Sequence, residues 1–283
     1  MGTMTGRTCL VTGGTSGIGR ATAVRLAGLG AGVVVVGRDP GRAAAVREEI
    51  RRQAPHTRVE TLTADLSSLA QVRRLAAEIR ERCDRLDVLV NNAGVISTRR
   101  EVTADGFETT FATNHLAPFL LTNLLRDLLE RSAPARVVTV ASAAHKQVRA
   151  IDWDDLPHGT AAGRGGSYPL SKLLNVLFTA ELARRLAGTG VTANSLHPGF
   201  VRTDLGRDVT GAFGVAIRLV TRLQPGPVKG ADTSVYLASS PDVADVTGGY
   251  FVRCRPATPS RLARDPQAAA RLWTLSAELA GLG

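Results

Sequence analysis

The stretch Thr12-Gly13-Gly14-Thr15-Ser16-Gly17-Ile18-Gly19 narrows what this chain can fold into more than any other. An apolar run, Cys9-Leu10-Val11, leads into it, and a helix-like stretch with Ala21, Val24, Leu26 and Ala27 follows. Strand, tight glycine turn and helix in that order bring free N–H groups and the positive end of a helix dipole to one point, which favours an anion such as a phosphate. Gly13 lets the chain turn out of the strand, Gly17 has no Cβ to hold a pyrophosphate away, and Gly19 lets the helix pack close on the sheet. Thr15, Ser16 and Ile18 belong to the same ligand-facing turn. Mononucleotide, flavin and methyltransferase folds use such turns too, so the ligand has to be argued from other stretches.

Beyond the turn, apolar runs alternate with helical patterns. Strands are expected over Gly32–Val36, Arg58–Leu62, Leu86–Val90, Arg136–Val140, Val191–Leu196 and Gly249–Val252. Between them, Asp39-Pro40 caps and opens one helix, Ser67 or Ser68 caps another, and longer helices are expected from about Thr103 to Glu130 and over Tyr168–Leu186. Strands alternating with helices predict an α/β fold with a doubly wound parallel sheet. Ligands of such sheets bind at the carboxyl ends of the strands, where the motifs of this chain also fall. The 283 residues, 44% of them hydrophobic, suffice for one well-buried domain and are few for two. A single domain over 1–283 is expected, with a cofactor-binding and catalytic core over 5–202. Residues 203–227 should form a substrate lid, and 255–283 a tail ending in a helix with Leu272, Trp273, Leu275, Leu279 and Leu282.

The sharpest chemical signal is Tyr168-Pro169-Leu170-Ser171-Lys172. Positions i and i+4 share a helix face, so Lys172 sits one turn behind Tyr168. A neighbouring ammonium favours the phenolate and is expected to lower the tyrosine pKa, making Tyr168 a general acid or base. Together with the glycine turn, Asn91-Asn92-Ala93-Gly94 and Ser142 at the end of the fifth strand, this pattern resembles the short-chain dehydrogenase/reductase family over roughly Thr5 to Val252. The resemblance implies a Rossmann-type sheet flanked by helices and an oxidoreductase that passes hydride between a nicotinamide cofactor and a carbonyl or hydroxyl group. It implies that Ser142 polarises the substrate oxygen, Tyr168 passes the proton, Lys172 also holds the nicotinamide ribose, and Asn114 completes a water relay. It further assigns Asn92, Ala93 and Gly94 to the cofactor, Asp65 and Leu66 to the adenine, and Pro198, Gly199, Val201 and Thr203 to the carboxamide-binding turn. The long gap between Ser142 and Tyr168 and the tail Ala270-Arg271-Leu272-Trp273 resemble the retinol-dehydrogenase-like branch. A catalytically idle NADP-binding regulator is a different reading, as is a same-fold enzyme for C=C reduction or epimerisation. Retention of Asn114, Ser142, Tyr168 and Lys172 together argues against the regulator.

The residue just past the second strand faces the adenosine 2′ position, where an acid accepts from the NAD ribose and an arginine pairs with the NADP phosphate. The chain has Gly37-Arg38-Asp39, with Asp39 occupied in capping, so NADP is expected over NAD. The formal charge of +10 invites a nucleic-acid reading. The basic residues are nearly all arginines spread over helix faces, with no basic run interleaved with aromatics, so no nucleic-acid partner is expected. Cys9, Cys83 and Cys254 have neither disulfide nor metal spacing, and no metal is expected. No membrane-length apolar run is present, and Met1 to Arg7 is too polar for a signal peptide. The expected picture is a cytoplasmic enzyme, a homodimer or homotetramer, acting on a small, fairly apolar organic substrate.

Overall fold

The computed structural model describes residues 3–97, 100–159, 167–199 and 226–283. Expectations that fall on the remaining residues, among them Val201, Thr203 and the lid as far as residue 225, lie outside the described residues. The chain opens as expected, with β1 (Thr8–Thr12), α1 (Gly17–Gly28), β2 (Gly32–Gly37), α2 (Pro40–Gln53), β3 (Val59–Thr63), α3 (Leu69–Arg82) and β4 (Val88–Asn91). The Asp39 carboxylate accepts from Arg42 N at 3.0 Å at the start of α2, and Ser68, of the two candidate serines, caps α3.

The region after β4 departs from the periodicity. Thr103 does not begin a helix. A turn closes there, with Thr103 N donating to Phe107 O and Gly106 in the left-handed region at φ 87°. Helix begins only at α4 (Thr109–Phe111), where both Glu108 carboxylate oxygens accept backbone N–H groups, from Thr110 at 2.9 Å and Phe111 at 2.8 Å. A π-helical turn (Ala112–Leu116) follows, then α5 (Ala117–Leu124) and α6 (Arg126–Arg131). After β5 (Ala135–Val140) a 3₁₀ turn (Ala143–Gln147) carries the chain away from the sheet. It returns as α7 (Tyr168–Arg185) and β6 (Val191–His197). The last elements are α8 (Pro227–Gly230), α9 (Asp232–Ser239), β7 (Tyr250–Val252), a two-residue β8 (Arg255–Pro256) that periodicity did not suggest, and α10 (Pro266–Leu279).

The strands form one sheet in the order β3-β2-β1-β4-β5-β6-β7-β8, parallel throughout except for the antiparallel β7–β8 pair at the edge. The chain winds outward from β1 in both directions, which opens a crevice at the carboxyl ends of β1 and β4. The register lines those ends up, with Val11 opposite Val90, Val90 opposite Val138 and Val140 opposite Leu196. Successive side chains alternate between faces. Leu10, Val34, Val36, Leu89 and Val137 pack with α3, α5, α7 and α10. Cys9, Val11, Val33, Val35, Val90 and Val138 pack with α1, α2 and α9. Each such side chain fully buried is worth about 1.5–3 kcal/mol, so both layers hold the strand ends in place. Trp273 of α10 locks the tail onto the first layer, with its ring 5.0 Å from Phe119 and 6.0 Å from Phe178.

Candidate active site

The glycine turn takes the shape its residues require. Gly13 and Gly17 have φ of 61° and 53°, the region open to glycine. A Cβ on Gly13 would lie 2.8 Å from Ala93 Cα, whereas one on Gly17 would meet nothing within 4 Å. The turn therefore closes against the end of β4 on one side and is open at Gly17. A Cβ on Gly19 would run into the Gly13 carbonyl and the Asn92 amide, so Gly19 serves the compactness of the turn itself as much as helix–sheet packing. Thr15 lies over Gly37 at the end of β2, where a Cβ would collide with it. Ser16 precedes α1 with no side-chain cap, and the first helical turn contains no acid, so the N–H groups and dipole there have no anionic partner of their own.

Asn92 clasps this turn. Its Nδ2 donates to Thr12 O at 2.9 Å and Gly13 O at 3.3 Å. Thr12 Oγ1 in return accepts from Asn92 N and Ala93 N. Arg38, just past β2, is exposed, and among the described residues its side chain makes no ion pair or hydrogen bond. The backbone N–H of Arg42 holds the carboxyl of Asp39 below its ordinary range. The Asp65 carboxylate accepts from Ser67 N at 2.9 Å and Ser67 Oγ at 2.8 Å, and Leu66 packs into the core.

The four catalytic candidates meet where β5 ends and α7 begins. Ser142 follows β5 and accepts from Ala144 N at 3.2 Å. Tyr168, the first residue of α7, is hydrogen-bonded to Ser142. Lys172 is 3% exposed, donates from Nζ to Val140 O at 3.0 Å, and holds Nζ 5.5 Å from the centre of the Tyr168 ring. An ammonium has three protons to place, and here one is placed on protein, which fits the hydroxyls of a ribose. Asn114 lies in the π-helical turn, a distortion often found at functional sites. Its Oδ1 accepts from Val95 N at 2.7 Å, and its Nδ2 donates to Val95 O at 2.9 Å and Ser171 Oγ at 3.0 Å. Both amide protons are thus engaged, and the capacity left for a water lies on Oδ1. A Cβ on Gly94 would lie 3.3 Å from Asn114 Oδ1 and 3.4 Å from Lys172 Nζ, so that glycine brings the β4 segment between them.

One electrostatic expectation is corrected. The Tyr168 pKa is raised, not lowered. Burial pushes the phenol above its ordinary value, with the Ser142 hydrogen bond pulling the other way. Lys172 points at the Val140 carbonyl and is itself desolvated, which lowers its pKa to about 8. Tyr168 is consequently a neutral phenol at pH 7.

Two residues outside the expected site residues, Ser171 and His145, complete the site. Ser171 Oγ accepts from Asn114 and donates to Tyr168 O at 2.8 Å, tying the π-helical turn to the start of α7. Its position three residues past Tyr168 was a readable signal. His145 is buried beneath Ser142. Its Nε2 accepts from Ser260 N at 3.1 Å, so Nδ1 carries the proton and donates to Ser142 O at 2.6 Å. Nothing in a lone histidine marks that tie, which depends on a residue 115 positions away. Pro198 and Gly199 follow β6, with Gly199 at φ 91°. Gly199 and Ala143 line a cleft of about 240 Å³ together with Lys146, His197, Tyr250, Val252 and Arg253.

Comparison with known proteins places this arrangement. The family model described as short chain dehydrogenase matches residues 7–212. Human retinol dehydrogenase 14 is 44% identical over 297 residues, covering 99% of this chain and 88% of its own length. Human retinol dehydrogenase 13 is 43% identical over 287 residues, covering 99% and 86%. Among solved structures, the Pseudomonas aeruginosa RhlG/NADP active-site complex superposes with a TM-score of 0.70 at 28% identity, covering 87% of this chain and 94% of that one.

Proposed function

The chain belongs to the short-chain dehydrogenase family, in its retinol-dehydrogenase-like branch, and is an NAD(P)-dependent oxidoreductase; on that footing we propose that it interconverts a ketone or aldehyde and an alcohol on an apolar organic substrate with NADP(H), using Tyr168 as acid and base. The observation that carries this reading is the meeting of Ser142, Tyr168 and Lys172 at one strand end, joined through Ala93 and Gly94 to a glycine turn that is open at Gly17.

When bound, the nicotinamide cofactor would supply or take up the hydride. The chain's own groups handle the oxygen. Ser142 Oγ holds the carbonyl oxygen by a hydrogen bond as negative charge builds on it. Tyr168, kept neutral by burial, gives its phenolic proton to that oxygen. Lys172, whose ammonium lies one helical turn behind, stabilises the phenolate left behind. In the oxidative direction the same phenolate takes the alcohol proton. Asn114 and Ser171 fix the backbone on which Tyr168 stands.

NADP is favoured over NAD by Arg38, which is exposed just past β2, where it would meet a 2′-phosphate, with no acid paired to it among the described residues, while Asp39 is engaged in capping. A panel of aliphatic and aromatic aldehydes, ketones and enones, assayed with NADPH and NADH by nicotinamide absorbance with product analysis, tests the proposal. Carbonyl reduction with NADPH is the expected result. Reduction confined to the C=C bond of the enones, or no turnover with either cofactor, would overturn it.

A further inference from the structure

The cleft next to the catalytic serine carries a charge arrangement that carbonyl reduction by itself does not call for. Its wall begins at Ala143, the residue after Ser142, and its floor is the apolar surface of Tyr250 and Val252. Two cations stand at its rim, Lys146 on the 3₁₀ turn after Ser142 and Arg253 on the β7–β8 turn. Both are exposed, and among the described residues neither side chain makes an ion pair or a hydrogen bond. Many other arginines of this chain find acids, as Arg7 and Arg85 do on Asp87 and Arg184 and Arg185 do on Glu181. His197 also lines the cleft, and burial, followed by the fields of His145, Lys146 and Arg253, lowers its pKa to about 4, so it is neutral there at pH 7.

The backbone at Arg253 adds a second, independent observation. Arg253 and Cys254 have φ of 51° and 59° and form the two-residue turn between antiparallel strands. Turns of this kind favour Asn-Gly, since side chains in the left-handed region are strained. Strained residues held by their surroundings tend to mark sites where a side chain has a task. Here the strain is held by β7–β8 pairing and by Cys254 N donating to Thr233 Oγ1 at 3.2 Å, and it sets Arg253 at the cleft.

The cofactor's phosphates do not account for Arg253. The glycine turn follows β1, whereas Arg253 follows β7, four strands away in the sheet. At about 4.8 Å per strand that is a separation of roughly 19 Å.

We infer that this cleft receives a carboxylate at the far end of the substrate, so that the chain acts on oxo acids or hydroxy acids whose apolar body spans from the reacting carbon to Lys146 and Arg253. The inference rests on the oxidoreductase reading above and adds the substrate class. An apolar floor rimmed by two separated cations suits a singly charged group on an apolar stem. A phosphate monoester carries more charge and calls for a cradle of N–H donors.

The test uses aryl oxo-carboxylates of three chain lengths, each paired with its neutral methyl ester, and NADPH. The full chain is compared with Lys146→Ala, Arg253→Gly and Lys146→Glu. Arg253→Gly relieves the turn and should fold at least as well as the parent. The parent should prefer the acid over the ester of at least one length by about tenfold or more in kcat/KM, through KM. Lys146→Ala and Arg253→Gly should each remove most of that preference and leave ester turnover unchanged, and Lys146→Glu should favour the ester. Equal kcat/KM for every acid and its ester in the parent, or variants that lose acid and ester turnover alike, would overturn the inference while the oxidoreductase reading stands. Turnover of no member of the series, nor of the neutral carbonyl panel, would remove both.

Discussion

Tyr168 and Lys172 are legible as a pair from their spacing, yet the sign of their coupling was not. Spacing tells that an ammonium is one turn away. It does not tell that the ammonium donates to Val140 O or that burial outweighs it at the phenol. The consequence is a pH dependence. Reduction needs Tyr168 protonated and Lys172 charged, and burial brings Lys172 down to about 8. Reduction in kcat/KM should therefore fall as pH rises through about 8, where the ammonium loses its proton. A rate that is flat from pH 7 to 9.5 would mean that Lys172 charge is not used. Arg38 carries the second residue-scale prediction. Arg38→Ala would remove the proposed contact to the 2′-phosphate, a charge-assisted one of the kind worth roughly 1.5–3 kcal/mol, or about ten- to a hundredfold in affinity. NADPH binding should weaken by that factor and NADH binding hardly change, as read by fluorescence titration. Equal losses would refute the 2′-phosphate assignment.

At the scale of elements, the strand–turn–helix start was readable because glycine conformations and apolar runs are local. The clasp that Asn92 puts on it was not, since Asn92 and Thr12 are 80 positions apart. The same division explains the helical region after β4. Periodicity alone extends it back to Thr103, but the Gly106 turn and the Glu108 carboxylate on two N–H groups delay it to Thr109. Glutamate is not among the residues that usually announce a helix start, and a π-helical turn has no signature in a 3.6-residue repeat. Gly19 allows an element-scale test. Gly19→Ala drives a methyl group into the Gly13 carbonyl and the Asn92 amide, so the turn must open. Overpacking of this kind costs about 1–3 kcal/mol, which urea unfolding should show together with weakened NADPH binding. Gly17→Ala, with open space around its Cβ, should weaken NADPH binding with a smaller loss of stability. If Gly19→Ala unfolds at the parent's urea midpoint, the close fit of the turn is not what the contacts describe.

For the molecule as a whole, the doubly wound parallel sheet followed from alternation of strands and helices, and the antiparallel β8 at the edge did not, because two residues carry no pattern. Among the described helices none is long and apolar enough to cross a membrane. Three of the histidines give the fold a common acid sensitivity. Burial lowers His115 to about 3 and His197 to about 4, and lowers His145 as well. Each folded-state pKa lies below the unfolded value near 6.5, so the unfolded chain binds more protons and stability is lost as pH falls through that window. For fully buried His115 alone the loss by pH 5 is about 2 kcal/mol. Urea midpoints should drop between pH 7 and pH 5, and His115→Asn or His115→Gln should flatten the slope. A midpoint constant over that range would contradict the neutral buried histidines. The central claim, that the chain moves a proton through Tyr168 in step with hydride transfer, is tested most directly by comparing the parent with Tyr168→Phe for NADPH affinity and for carbonyl turnover at pH 7. The ring stays and only the transferable proton goes, so affinity should be nearly unchanged while turnover falls by roughly 10²–10⁴-fold. Turnover by Tyr168→Phe at close to the parent's rate would contradict the account.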